Sequence, residues 1–216
     1  TMKVVDTLEV NTLDDAIKAL SNPEIKTLDI NRSSAKARSE SKKTALENEL
    51  KDIAAALQKE ECQVTTLNIF NKQMGKQGCE YLRDALQSGN CQHLTALGLI
   101  STKLDDGVAP LCMALQNEKC GLRELDLNST GTSIGKNACE HIATALENDR
   151  CKLTKLQLTC KDIDVEGCKM IATALERNKS LEQFTLVVKS DENFVELEKI
   201  SFGLGSGNDK CKVTVI

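Results

Sequence analysis

Residues 153–187 read LTKLQLTCKDIDVEGCKMIATALERNKSLEQFTLV, and two hydrophobic periods alternate along them. In LTKLQLT (153–159) the first, fourth and sixth positions are apolar, which places Leu156 and Leu158 on one face of a short strand. In GCKMIATAL (167–175), Ile171, Ala174 and Leu175 take the i, i+3, i+4 spacing of a buried helix stripe, with Lys169 on the opposite face. The strand pattern then returns in LEQFTLV (181–187).

The same pair of signals recurs upstream. VTTLNIF (64–70), LTALGLI (94–100) and LRELDLN (122–128) precede GCEYLRDAL from residue 78, GVAPLCMAL from 107 and ACEHIATAL from 138. The strand starts at 64, 94, 122, 153 and 181 are separated by 30, 28, 31 and 28 residues, a period that marks a repeat architecture. Two weaker units lie toward the N terminus. Val5, Leu8 and Val10 precede Leu13, Ala16, Ala19 and Leu20; Ile25, Leu28 and Ile30 precede Leu50, Ile53, Ala56 and Leu57. The intervening RSSAKARSESKKTALENE (32–49) reads as a surface loop followed by a lengthened helix. Beyond Leu186, Leu197, Ile200 and Phe202 offer one further strand and CKVTVI from Cys211 a terminal one.

A unit of about 29 residues cannot cover its own apolar strand face and helix stripe, so neighbouring units must stack to remove both from water. The expectation is an α/β horseshoe, a right-handed β-α superhelix with about seven parallel strands on the concave face and helices on the convex face.

LxxLxL strands joined to helices of the GxxxLAxAL kind resemble the ribonuclease-inhibitor-like class of leucine-rich-repeat proteins, and GCKMIATALERNKSLEQFTL (167–186) is a close match. The resemblance covers about residues 1–190 and is strongest over 62–187. It implies a single leucine-rich-repeat domain over 1–216, with its clearest repeats at 62–190, weaker ones at 1–61 and a C-terminal cap at about 191–216. Relatives of this class are mostly cytosolic binding or scaffold proteins, including ribonuclease inhibitors, innate-immunity sensors, actin-associated caps and host-directed effectors of intracellular bacteria. The chain departs from the class where an Asn or Cys is usual, carrying Lys72, Thr102, Thr130, Lys161 and Lys189. Lysine cannot accept the backbone bonds that such a ladder supplies.

Composition narrows the function. Lys and Arg total 28 against 32 Asp and Glu, a formal charge of -4 that provides no basic field for nucleic acid. No stretch approaches about 20 apolar residues, and TMKVVDTLEV lacks the pattern of a secretory signal. A cytoplasmic, reducing location is expected, with secretion into a host cell if the chain is a bacterial effector.

Of the ten cysteines, Cys62, Cys91, Cys120 and Cys151 precede successive strands and should form a ridge, whereas zinc requires convergent ligands. Cys79, Cys139 and Cys168 occupy equivalent helix starts, and Val108 takes that place in another repeat, so small apolar packing suffices there. His93 and His141 lack a repeated acid or nucleophile that would converge on them. Gly203, Gly205 and Gly207 are not followed by GK[ST]; Gly75-Lys76 and Gly135-Lys136 sit at turns into helices. Arg32, Lys36, Arg38, Lys42 and Lys43 have no aromatic stacking partners and read as a solvated loop. No catalytic residue, metal site or cofactor is expected, and no small-molecule substrate.

The strand positions facing away from the core vary between repeats, as recognition on a fixed scaffold requires. Phe70 and Ile100 form a small apolar patch beside Asn128; Arg123, Glu124, Asp126 and Lys155 supply charge, although their opposite signs also allow them to satisfy one another. A non-enzymatic protein-binding or scaffold module is expected, with Phe70, Ile100, Arg123, Glu124, Asp126 and Lys155 contacting another protein and no nucleic acid or membrane engaged. The alternatives are a host-directed bacterial effector or a purely structural module of a larger assembly.

Overall fold

Strand and helix alternate as the two hydrophobic periods demand. The computed structural model describes residues 7–31, 40–70, 74–100, 104, 107–128, 136–160, 163–188 and 212–215. In chain order these form β1 (Thr7–Val10), α1 (Leu13–Leu20), β2 (Thr27–Asn31), α2 (Glu40–Leu57), β3 (Thr66–Phe70), α3 (Gly75–Ser88) and β4 (Ala96–Ile100). There follow α4 (Val108–Leu115), β5 (Glu124–Asn128), α5 (Lys136–Glu147), β6 (Lys155–Cys160), α6 (Val165–Arg177), β7 (Gln183–Val188) and β8 (Lys212–Val215).

The strands make one parallel eight-stranded sheet in sequence order among the described residues. Each helix packs on the next helix along the chain, so the molecule is an α/β horseshoe with strands on its concave side and helices on its convex side. The count exceeds the expected seven because Lys212–Val215 pairs with β7; the strand proposed around Leu197, Ile200 and Phe202 lies outside the described residues. So do Val5, the 32–39 segment, and the departures at Lys72, Thr102, Thr130, Lys161 and Lys189. The helix after that segment is indeed long, with 18 residues in α2.

Register turns each inner sequence position into a row across the sheet. Leu28, Leu67, Leu97, Leu125, Leu156 and Phe184 are successive partners, and all are buried. Opposite them lie the helix stripes, Leu82, Ala85 and Leu86 of α3 and Ile171, Ala174 and Leu175 of α6 among them. One core runs from Val10 to Leu186. Each buried Leu contributes about 1.5–3 kcal/mol, which explains why inner positions tolerate little beyond Leu, Ile, Val and one Phe.

Small residues at the helix starts permit close stacking of the repeats. A Cβ on Gly107 would stand 2.5 Å from Cys79 Sγ, and one on Gly167 2.8 Å from Cys139 Sγ. The helix start that sequence pattern assigns to Gly, Cys or Ala is therefore where adjacent coils touch. Gly75, with φ of 57°, opens α3 in the left-handed region, as a turn-forming glycine should.

Candidate protein-binding face

Alternation along each strand sends every second side chain away from the helices, and the register aligns these into three outward rows. The first runs Thr27, Thr66, Ala96, Glu124, Lys155, Gln183; the second Asp29, Asn68, Gly98, Asp126, Gln157, Thr185. The third includes the partners Asn31, Phe70 and Ile100 in one set and Asn128, Thr159 and Val187 in another.

Of the six residues singled out by sequence, five stand at outward strand positions. Phe70 and Ile100 are direct partners and both half-buried, so the expected apolar patch exists as a pair. Asn128 is registered with Thr159. Glu124 and Lys155 are also partners, exposed, and joined by an ion pair of 3.4 Å. Arg123 precedes β5; its guanidinium donates to the Lys152 carbonyl at 3.4 Å, along the rim.

Asp126 has the most unusual environment of the six. It is half-buried, and its Oδ1 is occluded with no hydrogen-bond partner. Burial raises its carboxyl above the usual range, with the backbone N–H of Asn128 and the Lys155 ammonium opposing that rise.

The rim behind the strands is backbone-rigid. The Thr65 carbonyl accepts from Thr95 N at 2.8 Å and Ala96 N at 3.0 Å; the Arg123 carbonyl accepts from Thr154 N at 2.8 Å and Lys155 N at 3.0 Å. Thr95 Oγ1 and Thr154 Oγ1 add bonds to the same two carbonyls, both at 3.3 Å.

At the helix-to-strand turn, side-chain bonds that the sequence reading overlooked hold the chain. Asn22, Asn117, Asn148 and Asn178 each accept a backbone N–H two residues on, at 3.0, 2.9, 2.9 and 3.0 Å. Buried Asn178 also accepts from Leu181 N and donates to the Leu146 carbonyl, both at 2.7 Å. The recurring signal was ALSN (19–22), ALQN (114–117) and ALEN (145–148).

Cys62, Cys91, Cys120 and Cys151 lie on the adjoining ridge, and these four, like Cys79, Cys112, Cys139 and Cys168, are buried thiols. Burial pushes Cys79, Cys91 and Cys139 up to about 12, which suppresses the nucleophilic thiolate. His141 is exposed, and half-buried His93 is held below its ordinary value by burial and by Lys26. Among the described residues no group of three or more His, Cys, Asp or Glu could hold a metal ion, and no helix is long and apolar enough to cross a membrane.

Comparison with known proteins bears on this geometry. NACHT, LRR and PYD domains-containing protein 14 of Homo sapiens is 33% identical over 131 residues, covering 60% of this chain and 12% of that protein. Protein 13 of the same series, also from Homo sapiens, is 34% identical over 126 residues, or 58% of this chain and 12% of the relative. Among solved structures, Leiomodin-1 Actin-Binding Site 2 matches with a TM-score of 0.54 at 18% identity, over 71% of this chain and 86% of that one.

The chain is a leucine-rich-repeat-like β/α solenoid.

Its similarity to the NACHT, LRR and PYD domains-containing proteins is distant homology, and the solenoid spans only 12–14% of the first of these relatives. No family model matches it. The relatives do not single out the ribonuclease-inhibitor-like subclass.

Proposed function

We propose that the solenoid is a non-enzymatic protein-binding or scaffold module whose concave strand face receives the partner. The observation that carries this reading is a fixed backbone register beneath unlike side chains: Thr66, Ala96, Glu124 and Lys155 occupy equivalent places in one row, as do Asn68, Gly98, Asp126 and Gln157 in the next. Holding such groups in place before contact lowers the entropic cost of association, and their variety selects the partner.

A protein partner is favoured over nucleic acid by the charges on the face. Its described outward strand positions carry Glu9, Asp29, Glu124 and Asp126 against Lys155 and Lys212, the wrong balance for a phosphate backbone. Phe70 and Ile100 supply the apolar anchor, and Arg123, Glu124, Asp126 and Lys155 the polar selection. The buried thiols fit a reducing, cytoplasmic setting. Nothing observed favours the bacterial-effector alternative.

The test is to capture the partner from native cells and measure its affinity for the intact solenoid and two folded variants. F70A/R123A/D126A alters the concave face; E140A/K169A alters exposed helix positions. The concave variant is expected to bind at least about tenfold more weakly, one hot spot's worth, with the helix variant unchanged. The reverse pattern would move the function to the convex side.

A further inference from the structure

Asn31, Asn128 and Asn178 open the motif Asn-X-Ser/Thr, as NRS (31–33), NST (128–130) and NKS (178–180), which directs N-linked glycosylation in a secretory compartment. An acceptor asparagine belongs on the surface with its carboxamide free, because the oligosaccharide it carries is far bulkier than itself. Asn178 is placed in the opposite way. It is the C-cap of α6 and only 5% exposed.

Both ends of its carboxamide are committed. Nδ2 donates to the Leu146 carbonyl of the preceding repeat at 2.7 Å, and Oδ1 accepts from Leu181 N at 2.7 Å and Ser180 N at 3.0 Å. Ser180, which completes the motif, turns its own Oγ to the Cys151 carbonyl at 3.2 Å. The acceptor nitrogen and the hydroxyl of the motif are thus both tied into the junction between repeats. The related turns show what the asparagine is for: Asn22, Asn117 and Asn148 accept the same backbone bond in NPE, NEK and NDR, where no acceptor motif is formed.

Glycan transfer joins Nδ2 to the anomeric carbon of a lipid-diphosphate oligosaccharide. The anomeric C–O bond breaks, the diphosphate leaves with the bonding pair, and Nδ2 gives up one proton. Folded Asn178 is unreachable for this step, so transfer can only precede folding, and a modified Asn178 cannot then enter its turn. The Leu146 carbonyl and the Ser180 and Leu181 N–H groups would lose their partner at a buried site. Asn31 and Asn128, half-buried at the ends of β2 and β5, lie in the third outward row, where a glycan would stand over the proposed binding face.

We propose that Asn178 is a modification-intolerant turn residue and that the chain therefore folds in a compartment without lipid-linked glycan transfer. This deepens the proposed cytoplasmic setting through an observation separate from the buried thiols, and the Asn178 argument does not depend on the concave face.

The test is cell-free translation of the full chain behind a cleavable secretion signal, with endoplasmic-reticulum microsomes and a thiol reductant that keeps the cysteines reduced. S33A/T130A removes the other two motifs without touching their asparagines, and its protease resistance after translation without microsomes sets the folded reference. Within the microsomes, chains modified at Asn178 are expected to be cut by protease at least about tenfold faster than unmodified chains of the same sequence. Conversion of Asn178 to Asp on enzymatic deglycosylation locates the glycan. If every chain is modified, S180A supplies the unmodified comparison, and an inhibitor of lipid-linked oligosaccharide synthesis supplies one with Ser180 in place. Equal digestion of modified and unmodified chains, whether both resist or both are cut, overturns the inference, as does a translocated chain left wholly unmodified at Asn178. Those outcomes leave the thiol-based reading of the setting intact. A glycan on Asn178 of the protein taken from its native cells removes both.

Discussion

The two faces of one sheet differ as much as any two regions of this molecule, although their residues alternate along the same strands. Toward the helices the register stacks Leu28, Leu67, Leu97, Leu125, Leu156 and Phe184; one residue on, it stacks Asp29, Asn68, Gly98, Asp126, Gln157 and Thr185. The inner row is nearly uniform because every member must fill the same interlayer space at close-packed density. The outer row need only leave the ladder intact, so its chemistry is free to change from repeat to repeat. A solenoid thereby separates what holds it together from what it presents.

The strongest way to break that separation is to disturb the inner row. Leu97→Ala leaves a cavity in mid-sheet and should lower unfolding free energy by about 2–5 kcal/mol, measured by chemical denaturation. If the loss were below about 1 kcal/mol, the inner row would be less constrained than its burial implies. Asn178→Ala removes four side-chain bonds at a buried turn and should cost about 1–3 kcal/mol. A negligible loss would mean that the convex turns are held by backbone alone.

The outer row should respond differently. Lys155→Ala breaks an ion pair whose side chains are 49% and 53% exposed, so the change in stability should stay within about 0.5 kcal/mol; a larger loss would make Lys155 structural and blur the distinction between the faces. Asp126→Asn sharpens the comparison through its sign. Burial raises the folded carboxyl above its reference of 3.8, so the folded chain holds this proton more tightly than the unfolded chain does. That contribution is complete below the unfolded value and is lost as pH climbs through the raised folded one. The variant cannot titrate there, so its stability relative to the parent should improve as pH rises from below the unfolded carboxyl's value through the raised folded one. Movement in the opposite direction would show Asp126 to be better satisfied as an anion than its surroundings suggest.

Much of the fold was legible because burial repeats locally. Leu156 with Leu158, and Ile171 with Ala174 and Leu175, declare strand and helix through spacing alone, and a unit too small to cover both faces must stack. The turn asparagines were legible too, in the recurrence of ALSN, ALQN and ALEN.

By itself, then, the sequence determined the period, the inner rows and which strand positions face outward, since these follow from hydrophobic spacing within one repeat. It also made Phe70 and Ile100 neighbours, since both close equivalent strands. Only the tertiary structure decided that Lys155 answers Glu124 while Asp126 Oδ1 goes unanswered, and that Asn68 turns its nitrogen to Asp29, 39 residues away, and its oxygen over Gly98. The reason is physical: burial can be satisfied by any apolar side chain of suitable size, whereas a hydrogen bond depends on register, rotamer and donor direction between chain segments that meet only when the repeats have stacked.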